Sequence, residues 1–303
     1  MVVTMKNPPN FFVIGAMKCA TSSLHEQLVL QPGIFMTELK EPNFFSDDEQ
    51  YGKGIEWYES LFKPEKTDVL YGESSTHYTK LPTYPKTLER IQQHIPASAN
   101  LKFIYVMRHP IDRLVSQYIH EWSQRNIPSK TDINAAIHEY PELIDYSKYS
   151  VQLQPYFDRF GKSKVMPVFF ERLISNPQPE LERICTFLNY AQKAVWHHDV
   201  EAQNVSSARM RKSEWRDFLV EAPLLSTVRK TLVPQSFRDG IKKMWTLSKR
   251  PQLSDESFDY LQEIFNQDLR VLGTWLGCDD LSCENFKETI KNQEMDRELI
   301  HFG

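Results

Sequence analysis

Glycine is scarce in this sequence, with ten residues in 303. Few backbone positions can therefore take positive φ without strain, and each glycine beside a motif gains weight. Cysteine is scarcer still: Cys19, Cys185, Cys278 and Cys283 are the whole set. They form no CxxC pair and have no histidines at zinc-finger spacing, so neither a disulfide scaffold nor a zinc module is indicated. A reduced, cytoplasmic, metal-free protein is the expectation. No stretch approaches the ~18 uninterrupted apolar residues of a membrane span. The first nine residues, MVVTMKNPP, show neither an apolar signal-peptide core nor a small-residue cleavage pattern. An excess of basic residues is also missing: 36 Lys and Arg stand against 40 Asp and Glu, for a formal charge of −4. That argues against a general nucleic-acid or anionic-membrane binder, so any bound anion has to be held by a local cluster of donors.

What is present suits an ordinary globular core, with 41% hydrophobic and 25% charged residues. Phe11 to Ile14 is a continuous apolar run, as in a strand buried on both faces. Gly15 to Thr21 follows as a small-residue turn, and Ser22 to Leu30 reads as a helix stopped by Pro32-Gly33. Further strands are predicted at Val69–Tyr71, Leu101–Met107 and Val165–Phe170, and helices at Ile111–Arg125, Pro179–Leu188 and Ser254–Leu276. Strands alternating with helices imply an α/β fold with a mostly parallel central sheet flanked by helices on both faces. We expect one domain over residues 1–303, with a core at about 10–190, a helical cover at about 191–285 and a tail at 286–303.

Two segments carry chemistry. The run Gly15-Ala16-Met17-Lys18-Cys19-Ala20-Thr21-Ser22-Ser23-Leu24 follows a strand and offers backbone N–H groups, three hydroxyls and one ammonium. A helix N-terminus approached by such a turn is an anion cradle. It is not a Walker A loop, because Lys18 precedes the hydroxyls and no Gly-Lys-Ser/Thr follows. The second segment, Arg108-His109-Pro110-Ile111-Asp112-Arg113-Leu114-Val115-Ser116, also follows a strand. In a parallel sheet both turns open on the carboxyl edge, where ligands bind. Arg108 and Ser116, about two helical turns apart, would then grip a second phosphate.

These residues resemble the PAPS-dependent sulfotransferase family, which uses 3′-phosphoadenosine 5′-phosphosulfate (PAPS). The cradle is similar to that family's 5′-phosphosulfate motif, with Lys18 in the lysine position, and Arg108…Ser116 is similar to its 3′-phosphate motif. Lys40-Glu41-Pro42-Asn43-Phe44-Phe45 resembles a segment of the glycan-modifying, heparan sulfate-type branch, and Phe170-Glu171-Arg172-Leu173 a further landmark. The resemblance implies a P-loop-NTPase-like three-layer fold and metal-free sulfuryl transfer to a hydroxyl or amine of a carbohydrate or small metabolite. It implies Gly15, Lys18, Cys19, Ala20, Thr21, Ser22, Ser23, Arg108, Ser116 and Tyr149 as donor-binding residues, Tyr149 at the adenine. Lys18 would neutralise the leaving oxygen, and Glu41 would be the base, with His77 as the alternative. Ala20 replaces the family's usual glycine, and Ser74 stands where the heparan-type branch carries a lysine. Arg209, Arg211 and Lys212 are placed by position to complete the 3′-phosphate site. A catalytically inactive nucleotide-binding module and a nucleotide-dependent kinase are the competing readings. A hydrolase is disfavoured, since no G-x-S-x-G elbow appears.

Overall fold

A computed structural model describes residues 4–62, 69–199 and 250–292. The strands are β1 (Phe11–Gly15), β2 (Ile34–Met36), β3 (Leu70–Ser74), β4 (Lys102–Met107) and β5 (Val165–Phe169). The helices run α1 (Thr21–Val29), α2 (Asp48–Tyr51), α3 (Ile55–Ser60), α4 (Thr87–His94), α5 (Pro110–Gln124), α6 (Ile133–Glu139), α7 (Glu142–Asp145) and α8 (Tyr149–Phe160). They continue with α9 (Phe170–Ser175), α10 (Pro177–Phe187), α11 (Asp255–Leu276) and α12 (Phe286–Asn292). None of the described helices is long and apolar enough to cross a membrane.

The sheet is wholly parallel, in the order β2-β3-β1-β4-β5. From β1 the chain passes to β2 at one edge, returns inward to β3 beside β1, and then crosses to β4 and β5 on the other side. That reversal places the topological switch point at the carboxyl end of β1, the site such folds use for ligands. Every side chain of β1 and β5 is buried, which is why their sequences read as apolar runs rather than alternating ones. The predicted strand at Val69–Tyr71 extends to Ser74. Gly72 and Glu73 break its apolar pattern, yet a Cβ on Gly72 would lie 2.3 Å from the Phe11 ring, so only glycine fits between the strands.

The long helix α11 begins where Ser254 accepts the Ser257 N–H at 3.2 Å and ends on Gly277 at φ +69. It clamps α8 through Asp268, whose carboxylate accepts the Ser150 N–H at 3.1 Å. The segment expected as a tail from 286 instead starts with helix α12, and Phe286 and Ile290 are buried. Phe286 packs edge-on against His109 and Phe169, so apolar burial draws the segment onto the sheet's edge strand.

Candidate active site

The turn after β1 is shaped by exclusion. Gly15 has φ +151, and a Cβ there would lie 2.1 Å from Thr79 Oγ1. Ala16 donates its N–H to Val106 O at 2.7 Å, stitching the turn to β4. Ala20 caps α1 in the left-handed region, φ 64, with no side-chain cap bond and no acidic residue in the first turn. The first N–H groups of α1, with Thr21, Ser22 and Ser23 beside them, therefore keep their positive helix-end character for an anion. Cys19 plays a different part from the donor contact expected of it. Its N–H closes the turn on Ala16 O at 3.2 Å, and burial pushes its thiol up to about 12, leaving a neutral packing group. Ala20→Gly is expected to raise stability by up to about 1 kcal/mol. Relief of the ~1–2 kcal/mol left-handed penalty is partly offset by glycine's greater freedom in the unfolded chain. A urea unfolding curve checks this through the shift in midpoint.

β4 hydrogen-bonds to β1, so Arg108 emerges beside the cradle. Its guanidinium centre lies 4.4 Å from the Phe170 ring centroid, and its buried Nε has no hydrogen-bond partner among the described residues. An orphaned buried donor of this kind calls for an acceptor from a ligand. The backbone around it is pinned: Glu171 accepts the His109 N–H at 3.0 Å, and His109 Nε2 meets Cys283 O at 2.9 Å. Ser116 sits in α5, buried. Arg113 is wholly buried and bonds Ser147 Oγ at 2.5 Å, Gln117 Oε1 at 2.8 Å and Leu143 O at 2.8 Å, bracing α5 against α7.

Tyr149 departs from expectation. It has no exposed surface, and its hydroxyl donates to Arg108 O at 2.5 Å. A ring sealed in the core presents no face to an adenine, so Tyr149 supports Arg108 from below instead.

Glu41 and His77 follow β2 and β3 on the same edge. Glu41 takes φ 58 and Asn43 φ 52, strained values for non-glycine residues. They are held because Glu41 donates its N–H to Ser74 O at 2.9 Å, and Asn43 its N–H to Ser75 Oγ at 3.0 Å. The next two residues, Phe44 and Phe45, anchor the loop in an aromatic cluster, Phe44 stacking on Tyr58 at 4.6 Å. Tyr78, Tyr118 and Trp122 are likewise core. The Glu41 carboxylate accepts from Lys40 Nζ at 2.9 Å and from Thr76 Oγ1 at 3.3 Å. Burial pushes its pKa up, but the Lys40 charge and hydrogen bond, with Lys80 and His77, outweigh that and leave it below the ordinary value. His77 is lowered to about 4 by burial and by Lys80, and its ring stacks on Tyr84 at 4.6 Å. Both groups are in their proton-accepting forms at neutral pH.

A cleft of about 220 Å³ opens beside the start of α1, lined among others by Ala20, Ser23, Leu173, Ile174, Trp196 and His198. Its outer wall is an extended strap held on both edges by glutamine side chains. Gln31 pairs with both backbone groups of Val195 at 2.9 Å, and Gln27 with both of His197 at 2.8 Å. Gln178 on α10 takes Ala194 O at 2.9 Å and the Trp196 N–H at 2.7 Å. Sequence reading missed this strap and Trp196, because the local trace is a pair of glutamines four residues apart, Gln27 on α1 and Gln31 just past its end. Arg209, Arg211 and Lys212 lie outside the described residues.

The sulfotransferase domain model matches residues 8–273. Human heparan sulfate glucosamine 3-O-sulfotransferase 5 is 29% identical over 191 residues, 60% of this chain and 53% of that protein. Human heparan sulfate glucosamine 3-O-sulfotransferase 3B1 is 32% identical over 190 residues, 60% of this chain and 46% of its own. The chain thus spans about half the length of these curated relatives. A sulfotransferase crystal structure from Alicyclobacillus acidocaldarius shares the fold, with TM-score 0.58, 22% identity, and coverage of 88% of this chain and 95% of that one. A domain match that takes in the cradle, Arg108 and the whole parallel sheet places this chain in the sulfotransferase family.

Proposed function

We propose that this protein transfers a sulfuryl group from PAPS to a hydroxyl or amine of a carbohydrate. The observation that supports the donor reading is the pairing of β1 with β4, which brings the turn after β1 and Arg108 side by side at the switch point. Adjacent strands lie about 4.8 Å apart, so the cradle and Arg108 suit one nucleotide with phosphate at both its 5′ and 3′ positions. The cleft beside Ser23, with Trp196 as a planar wall, suits the base. The uncapped first turn of α1 and the orphaned Arg108 Nε fit such a ligand. The donor supplies the electrophilic sulfur. The α1 N–H groups and Lys18 hold the 5′ end and offset the charge that builds on the bridging oxygen as the S–O bond to phosphate breaks. Glu41 accepts the acceptor's proton at its carboxylate as the new S–O or S–N bond forms, and Lys40 and Thr76 keep that carboxylate oriented. The carbohydrate assignment draws on the Lys40–Phe45 segment and on the heparan sulfate enzymes the chain resembles.

Calorimetric titration with 3′-phosphoadenosine 5′-phosphate (PAP), 5′-AMP and ATP tests the donor reading. PAP is expected to bind at micromolar Kd, with 5′-AMP much weaker. Binding of ATP without PAP would put a kinase in its place. Labelled PAPS offered to glucosamine-containing oligosaccharides and to small phenols then tests the acceptor class.

A further inference from the structure

His25 is a buried histidine that the site as described leaves unused. It lies one turn along α1 from Thr21 of the cradle, on the buried face with Leu24 and Leu28, and is 6% exposed. Its Nδ1 shares a hydrogen bond of 2.9 Å with Ser74 Oγ, at the end of β3. Ser74 is wholly buried, and among the described residues neither of these two atoms has another partner. Burial, with the Lys40 charge, lowers the His25 pKa to about 4 against the pull of Glu41. The ring is therefore neutral at pH 7, and the bond adds no charge to the site.

Ser74 is also the residue that holds Glu41. Its carbonyl accepts the Glu41 N–H at 2.9 Å, and Glu41 takes φ 58, a strained value that persists only where surrounding contacts impose it. The next residue, Ser75, donates its N–H to Val13 O on β1 at 3.0 Å. One side of Ser74 is thus secured by the sheet, and its side chain is secured by His25. An apolar residue would fill this place in the core at a smaller desolvation cost, so a histidine bonded to a buried serine points to a use for the bond. Resting on the reading of Glu41 as base, we propose that His25 is a positioning residue. Through Ser74 it ties the helix that carries the donor cradle to the backbone of Glu41, and so fixes the carboxylate relative to the start of α1.

Three measurements on His25→Leu, His25→Asn, Ser74→Ala and the His25→Leu/Ser74→Ala pair test this: turnover of labelled PAPS with a glucosamine-containing oligosaccharide, PAP titration and amide hydrogen exchange. His25→Leu is expected to lower kcat about three- to tenfold, the size of one neutral hydrogen bond, with the PAP Kd changed less than about twofold. Ser74→Ala is expected to match it, and the double variant to lose no more than either single one. Asparagine carries a polar atom near the place of Nδ1, so His25→Asn is expected to recover about half of the loss or more. The Glu41 amide is expected to exchange faster in His25→Leu, a readout that needs no acceptor. If His25→Leu does not fold, Ser74→Ala, which removes a single oxygen, carries the test. Unchanged kcat and exchange, or additive losses in the double variant, overturn the proposal. So does a PAP Kd that weakens as much as kcat falls, which would make His25 a structural prop of α1. Glu41→Gln in the same series tests the base reading by itself. Near-full turnover there removes that reading and this proposal with it, whereas a loss there beside an unchanged His25→Leu removes this proposal alone.

Discussion

Glu41→Gln is expected to lower kcat for sulfuryl transfer by about 10²–10⁴, the range a positioned general base contributes, with little change in PAP affinity. Glutamine keeps the size of the side chain and its oxygen toward Lys40 and Thr76, but has no carboxylate to take a proton. The pH profile supplies the sign. Below its folded pKa Glu41 is protonated and idle, so the wild-type rate falls as the pH drops through that value. Burial alone would put this limb above the ordinary carboxylate range, and the Lys40 charge and hydrogen bond bring it below. Initial rates with labelled PAPS and a glucosamine-containing oligosaccharide measure both quantities. If Glu41→Gln retains near-full turnover while His77→Ala abolishes it, the base is His77, whose limb would centre near about 4.

Arg108→Ala should weaken PAP by about ten- to a hundredfold, as expected for losing a charged hydrogen bond to phosphate of ~1.5–3 kcal/mol. Affinity for 5′-AMP, which lacks the 3′-phosphate, should stay within about twofold. This difference between two ligands distinguishes loss of a phosphate contact from general damage to the cradle. Calorimetry on the variant reads it directly, and equal loss for both nucleotides would move the 3′-phosphate site away from Arg108. The expected size rests on the burial of Nε against Phe170, since a guanidinium screened from water bonds an anion more strongly than an exposed one.

Much of this was legible in one dimension. Phe11–Ile14, Leu101–Met107 and Val165–Phe170 read as strands because a parallel sheet covered on both faces needs continuous apolar runs, and these fall within a residue or two of β1, β4 and β5. The ends of α5 and α11 were equally plain, through Pro110 at the start of one and Ser254 and Gly277 at the limits of the other. The three-residue strand β2 was not, being too short to show any period. Helix α8 was hidden too, because Pro155 inside it argues locally against a helix that packing on α11 imposes.

The site divides in the same way. Lys18, Arg108 and Glu41 could be picked out because each sits in a short segment whose chemistry is local: a strand end, a turn, a few donors in order. Sequence alone therefore determined the parallel α/β class, and it named the segments to weigh as anion cradle and base. Only the tertiary structure decided that the cradle and Arg108 adjoin, because strand order, not chain order, sets β1 beside β4. It also turned Tyr149 from a ligand contact into a buried brace, and brought Trp196 to the cleft through glutamines more than 160 residues earlier in the chain. Burial and long-range hydrogen bonds are properties of the closed core, and no short window of residues contains them.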